Sequence, residues 1–110
     1  MDLDPTRGAE ANKRRPAVIV SNDRAGTTAE RLGRGVVTVV PVTSNVERVF
    51  PFQTLLPAGE TGLRIDSKAQ AEQVRAVAVD RLGPVLGRLP APLLAHLDDA
   101  LRLHLALDRP

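Results

Sequence analysis

With 110 residues, 43% of them hydrophobic and 25% charged, the chain has the size and balance of one folded domain, residues 1–110, rather than of a disordered segment. It has no cysteine, which excludes disulfides and thiolate metal sites. Its only rings are Phe50 and Phe52, which argues against an extended aromatic platform for nucleic acid. The formal net charge of +2 and a sequence pI near 9.9 admit a nucleic-acid partner without identifying one.

The start, Met1-Asp2-Leu3-Asp4, is acidic and lacks the charged and apolar regions of a signal peptide. No apolar run approaches membrane-spanning length, so a soluble cytoplasmic protein with no membrane partner is expected. Residues 5–16 hold Pro5, Gly8, Asn12 and Pro16 among charges and read as a polar loop. Lys13, Arg14 and Arg15 within it form the only run of three consecutive cations. Ala17-Val18-Ile19-Val20, stopped by Ser21-Asn22-Asp23, reads as a buried strand followed by a turn. Residues 27–32 read as a helical turn closed by Gly33 and Gly35. The run from Gly35 to Val42 is the clearest strand, and Pro41, with no N–H to give, requires a bulge or an edge there. Shorter strands are expected over residues 52–56, 73–79 and, with the weakest pattern, 85–89.

The period then changes. Leu93, Leu97, Leu101 and Leu105 recur at four-residue steps, widened by Leu94 and Ala100, and predict an amphipathic helix from about Ala91 to Leu107. Pro92 is tolerated in its first turn, and no Ser, Thr, Asp or Asn stands at Pro90 to cap it. Short, closely spaced strands followed by one helix that packs its leucine face on them suggest a small, twisted, mostly antiparallel barrel.

The usual nuclease chemistries find little support. His96 and His104 sit on the predicted helix ~80° apart, and ordinary surface or boundary histidines are the simpler reading. Asp98 and Asp99 point in different directions, no ligand spacing suggests a metal, and no glycine motif cradles phosphate. What remains is the basic loop and the polar ends of strands.

At those positions the chain resembles the MazF/PemK toxin family. The blocks that carry the likeness are Asp4-Pro5-Thr6-Arg7-Gly8-Ala9-Glu10, Lys13-Arg14-Arg15-Pro16 with the strand after it, and Val39-Val40-Pro41-Val42-Thr43-Ser44-Asn45. Phe50-Pro51-Phe52 and Asp66-Ser67-Lys68-Ala69-Gln70-Ala71-Glu72-Gln73-Val74-Arg75 follow in the same order. The resemblance implies an SH3-like barrel with a C-terminal helix, acting as a homodimer. It implies a toxin of a type II toxin–antitoxin system that cuts single-stranded RNA at specific sequences without a metal or cofactor, leaving a 2′,3′-cyclic phosphate and a 5′-hydroxyl. The implied partner is a MazE-like antitoxin with an acidic, disordered tail, DNA being met only through that complex.

By the same resemblance Arg15 and Thr43 are the catalytic pair, with Glu10 as an additional loop carboxylate. Lys13, Arg14, Ser44, Asn45, Glu72 and Gln73 are implied to contact RNA. Singly, Arg15 reads more simply as an exposed arginine before a strand and Thr43 as a hydroxyl closing a turn, while Glu72 and Gln73 read equally well as polar residues at a strand entry or dimer rim. Sequence selectivity is expected from loops around residues 5–14, 24–34 and 44–50. Members of the family begin with a further strand before Asp-Pro. Here the chain opens at Met1-Asp2-Leu3-Asp4-Pro5, so that strand is expected to be missing and the edge of the Ala17 strand unpaired. The alternative to an enzyme is a binding module on the same fold, either a gyrase-poison-like toxin or an inactive remnant that still holds antitoxin.

Overall fold

The computed structural model describes residues 15–21 and 35–108. The loop over residues 5–14, the helical turn at 27–32 and the question of a first strand lie outside the described residues.

The organising element is β2, Val36–Thr43, preceded by β1, Ala17–Ile19. Then come β3, Gln53–Leu56; a short helix α1, Ala58–Thr61; β4, Ser67–Gln70; a 3₁₀ turn, Ala71–Gln73; β5, Arg75–Ala78; and a second 3₁₀ turn, Val79–Arg81. The chain ends on α2, Ala91–Leu105. Every pairing is antiparallel. Along one edge β2 takes β1, with Ala17 opposite Pro41 and Ile19 opposite Val39; along the other it takes β5 from Val36 to Val39 and then β4 at Val42 and Thr43. β4 in turn pairs with β3, Gln53 opposite Gln70 and Leu56 opposite Ser67. The 3₁₀ turn at Ala71–Gln73 lets β4 and β5 run one after the other along the same edge. Among the described residues β2 is the only partner of β1.

That change of partner accounts for Pro41. Val42 N–H donates to Pro16 C=O and Thr38 C=O accepts from Val20 N–H, so the even-numbered residues of β2 turn their backbone groups toward β1. Pro41 faces the other way, between the last β5 pair at Val39 and the first β4 pair at Val42. Its missing N–H falls in the gap between two partners, so β2 is central and needs neither a bulge nor an edge.

β2 is buried on both faces, which is why its sequence is a continuous β-branched run rather than an alternation. Val37 and Val39 pack with Val77, while Val40 and Val42 join Leu56, Ala69, Ala71, Leu97 and Ala100 under α2. Leu56 and Leu97, both almost fully buried, each contribute roughly 1.5–3 kcal/mol of apolar transfer. The leucine stripe meets the sheet through Leu93, Leu97 and Leu101, whereas Leu105 at the end of the helix is 45% exposed. Pro90 holds the N-cap position without a side-chain bond, and the helix closes at Ala106 in the left-handed region. No helix among the described residues is long and apolar enough to cross a membrane.

Two expectations need correction. Residues 85–89 form no strand and pair with no strand among the described residues, and Val85 is 90% exposed. That segment instead crosses α1 at close range, where a Cβ on Gly87 would lie 2.4 Å from Thr61 O. The strand expected over 73–79 is shorter, Arg75–Ala78: Gln73 belongs to the 3₁₀ turn before it and Val79 to the one after, and within it Val77 is buried while Ala76 is exposed.

Candidate active site

The register of β1 on β2 determines which side chains meet. Ala17 lies opposite Pro41, and the Val42 N–H to Pro16 C=O bond of 3.1 Å carries the pairing one step past the end of β1. Arg15 is two residues before Ala17 and Thr43 two after Pro41, so the same register sets Arg15 across from Thr43. Pro16 fixes its own φ and disfavours a helical conformation at Arg15, holding the chain extended where the guanidinium must project.

Arg15 and Thr43 line one open cleft of about 560 Å³, together with Ser44, Arg64, Ser67 and an apolar wall that includes Leu63, Ile65 and Leu86. Arg15 is exposed and Thr43 half-buried. Thr43 Oγ1 accepts the Asn45 N–H at 3.2 Å, and Asn45 Oδ1 accepts the Glu47 N–H at 3.3 Å. With an oxygen lone pair of Thr43 engaged by the loop, its hydroxyl proton remains to donate outward. Ser67 Oγ donates to Ile65 C=O at 2.9 Å and is committed to the local turn. The cleft therefore brings together two arginines and a threonine whose hydroxyl proton has no acceptor among the described residues, residue types suited to the oxygens of a phosphodiester.

Of the other residues singled out in the sequence, Ser44 lines the cleft and Asn45 supports Thr43 from behind. Glu10, Lys13 and Arg14 lie outside the described residues, as do the loops over 5–14 and 24–34. Glu72 and Gln73 are not among the cleft residues: they sit in the 3₁₀ turn at the Gln70 end of β4, whereas Ser67, at its other end, lines the cleft. Glu72 Oε2 accepts from Gln53 Nε2 at 2.9 Å, while Glu72 Oε1 is buried without a partner among the described residues. His96 Nδ1 stands 2.9 Å from the buried Thr54 hydroxyl and ties α2 to β3; His104 is exposed. Among the described residues no group of three or more His, Cys, Asp or Glu side chains is placed to hold a metal ion. Sequence reasoning missed Arg64, because a lone arginine in a loop carries no periodic or motif signal; only the folding of the 62–66 segment against the end of β2 brings it in.

Residues 1–105 match the family model described as PemK-like, MazF-like toxin of type II toxin–antitoxin systems. The chain is 64% identical over 107 residues to endoribonuclease MazF9 of Mycobacterium tuberculosis (strain ATCC 25618 / H37Rv), spanning 97% of this chain and 91% of that protein. Among solved structures, Mycobacterium tuberculosis toxin MazF-mt6 aligns with a TM-score of 0.73 at 26% identity, over 86% of this chain and 89% of that one. An endoribonuclease in complex with its cognate antitoxin, from a mycobacterial species, aligns with a TM-score of 0.72 at 25% identity, over 90% and 87%. The barrel-like sheet, its C-terminal helix and these likenesses agree: the chain belongs to the PemK/MazF-like toxin family of type II toxin–antitoxin systems.

Proposed function

We propose that this chain is an endoribonuclease toxin that cuts single-stranded RNA in the cleft shared by Arg15 and Thr43. The observation that carries the reading is that meeting of Arg15 and Thr43 in one cleft, 28 residues apart in the chain yet opposed across the end of a sheet.

In RNA the nucleophile is already tethered beside its target. The 2′-oxygen attacks the neighbouring phosphorus, the bond to the 5′-oxygen breaks, and the products are a 2′,3′-cyclic phosphate and a 5′-hydroxyl. The enzyme has to hold the in-line geometry and stabilise charge growing on the non-bridging oxygens, and this chemistry does not depend on a metal. Arg15 supplies a planar fork of donors with a permanent charge, and the Thr43 hydroxyl adds one directed hydrogen bond. The guanidinium's charge is permanent and it has no acceptor to offer, so Arg15 acts electrostatically rather than as proton acceptor. Arg64 adds positive charge on the same cleft. Glu10 is the motif carboxylate assigned to take the 2′-hydroxyl proton.

The named relatives supply the remaining parts of the reading. One is an endoribonuclease by name, and another is a toxin bound to its antitoxin. The corresponding partner for this chain is an antitoxin segment bearing acidic side chains, which would occupy the cationic cleft and exclude RNA. The homodimer and the RNA contacts of Lys13, Arg14, Ser44, Asn45, Glu72 and Gln73 belong to the same proposal.

The test is cleavage of a mixed-sequence single-stranded RNA by the purified chain in EDTA, beside Arg15→Ala and Thr43→Ala. Discrete cuts ending in cyclic phosphate, lost in both variants, are expected. Intact RNA after incubation with the folded wild-type chain would instead make it a binding module.

A further inference from the structure

Lys68 is a charged residue where the fold has no need of one. It is 8% exposed, in the middle of β4, and it is the direct partner of Thr43 across the β2–β4 ladder. Directly opposed residues of an antiparallel pair carry their side chains on the same face, so Lys68 stands beside Thr43. Its Nζ donates to the Arg48 carbonyl oxygen, and the same ammonium lies 6.0 Å from the centroid of the Phe50 ring. Arg48 covers that ring as well, at 5.5 Å, and Phe50 stacks in parallel on Phe52 with centroids 5.3 Å apart.

These contacts share one object, the loop between β2 and β3. The loop is fastened where it leaves β2 by the Asn45 N–H on Thr43 Oγ1, and where it enters β3 by the Phe50 N–H on Gln53 Oε1. Gln53 is itself held by Glu72. Between those two ends Lys68 is the tie from the sheet to the middle of the loop. The stem of Lys68 is buried while its Nζ bond is part-buried, and among the described residues the ammonium meets one carbonyl and a ring face. An apolar side chain of the same length would fill the space of the stem, so what the charge adds is the tie to the loop.

Building on the ribonuclease reading above, we infer that Lys68 is a positioning residue that sets the register of residues 44–50 beside Thr43 and so determines which RNA sequences are cut. The catalytic pair is held separately, by the β1–β2 register and the Val42 N–H to Pro16 C=O bond. Loosening the loop thus moves substrate discrimination and KM while leaving the turnover of a correctly seated phosphate largely intact. A residue that merely filled the core would move stability and nothing else.

The experiment uses the full chain. Cut sites of the wild type are mapped on a mixed-sequence RNA in EDTA. The mapped oligonucleotide and versions with one base changed are then compared for wild type, Lys68→Met, Lys68→Arg and Phe50→Leu. Lys68→Met keeps the stem and removes the charge; its preference for the mapped site over its single-base variants is expected to fall roughly tenfold, with a raised KM and kcat within about threefold. Amide exchange at residues 46–50 should quicken about tenfold in the same variant. Lys68→Arg restores part of the preference, and Phe50→Leu, which removes the ring under both cations, shifts it in the same direction; Phe50→Leu decides the matter if Lys68→Met does not fold. Preference ratios equal to wild type in folded Lys68→Met, or in Phe50→Leu where it decides, overturn the inference alone. Intact RNA with the wild type overturns it together with the ribonuclease reading.

Discussion

Thr43→Val is the sharpest test of the cleft, because it removes one hydroxyl and keeps the shape. Two interactions are lost. The first is the acceptor for the Asn45 N–H, at 3.2 Å and exposed, so water replaces it and the cost to stability stays below ~1 kcal/mol. For a chain of this size that is a fall in Tm of about 4–8 °C at most. The second is the donor aimed at the phosphate, whose removal from a preorganised oxyanion site costs about 10²–10³ in kcat, or roughly 3–4 kcal/mol of transition-state stabilisation. Rate and stability are thus predicted to separate widely. Thr43→Ser keeps the donor and should stay within about tenfold of wild type, its loss coming from the extra rotamer freedom of an unbranched side chain. The assay is single-turnover cleavage of an RNA oligonucleotide in EDTA, with thermal unfolding of each variant alongside. A 2′-deoxy sugar at the cut site should block every variant equally. A folded Thr43→Val protein that keeps a third or more of the wild-type rate would refute the assignment of Thr43 as a donor to the reacting phosphate.

Two further outcomes are expected. Arg15→Lys keeps the charge but not the fork, and should lower kcat about 10- to 100-fold with a smaller change in KM; equal activity would show that charge alone suffices there. Gly62→Ala forces a Cβ into a residue at φ 81° and to 2.6 Å from Leu86 O, so urea unfolding should show a loss of about 2–3 kcal/mol, and a loss under ~0.5 would mean that the 85–89 segment moves aside at little cost.

Much of the fold is visible in the residue pattern, and the exceptions have physical reasons. The β-branched run of β2 and the four-residue leucine spacing of α2 announce themselves because each follows the period of its own element. The run over 85–89 carries strand-forming residues but no partner edge; its conformation is decided by Gly62 and Gly87 passing close to carbonyl oxygens, a tertiary constraint with no local period. In β5 the inward Val77 shares its alternating set with the exposed Arg75, whereas Ala76 and Ala78 form the uniformly apolar set, so the alternation alone points to the wrong face. The placing of Glu72 away from the cleft follows from the 3₁₀ turn that ends β4, a geometry that Ala-Glu-Gln does not advertise. Lys68 is inconspicuous in the sequence for the opposite reason: lysine in a polar stretch reads as solvated, and only its pairing with Thr43 and its burial distinguish it.

Neither Arg15 nor Thr43 carries a catalytic signature of its own, and the family resemblance identified them through the motifs around them. The structure supplies a physical reason for those motifs to recur together. Arg-Pro ends the approach to β1, and Pro-Val-Thr ends β2; Pro41 lies where the ladder does not need its N–H, Pro16 still accepts the Val42 N–H through its carbonyl, and the cleft residues stand one before Pro16 and two after Pro41. A slip of one residue in the β1–β2 register would turn every side chain of β1 to the other face, burying Ile19, now 48% exposed, in place of Val18 and drawing Arg15 away from Thr43. The packing of β1 on β2 therefore enforces the spacing of the proposed catalytic pair. The proposed chemistry rests on a register that the core protects, while the loop beyond Thr43 is tied to the sheet by single hydrogen bonds. On the proposed reading, such an arrangement lets selectivity change through a few side chains, Lys68 and Phe50 among them, without disturbing Arg15 and Thr43.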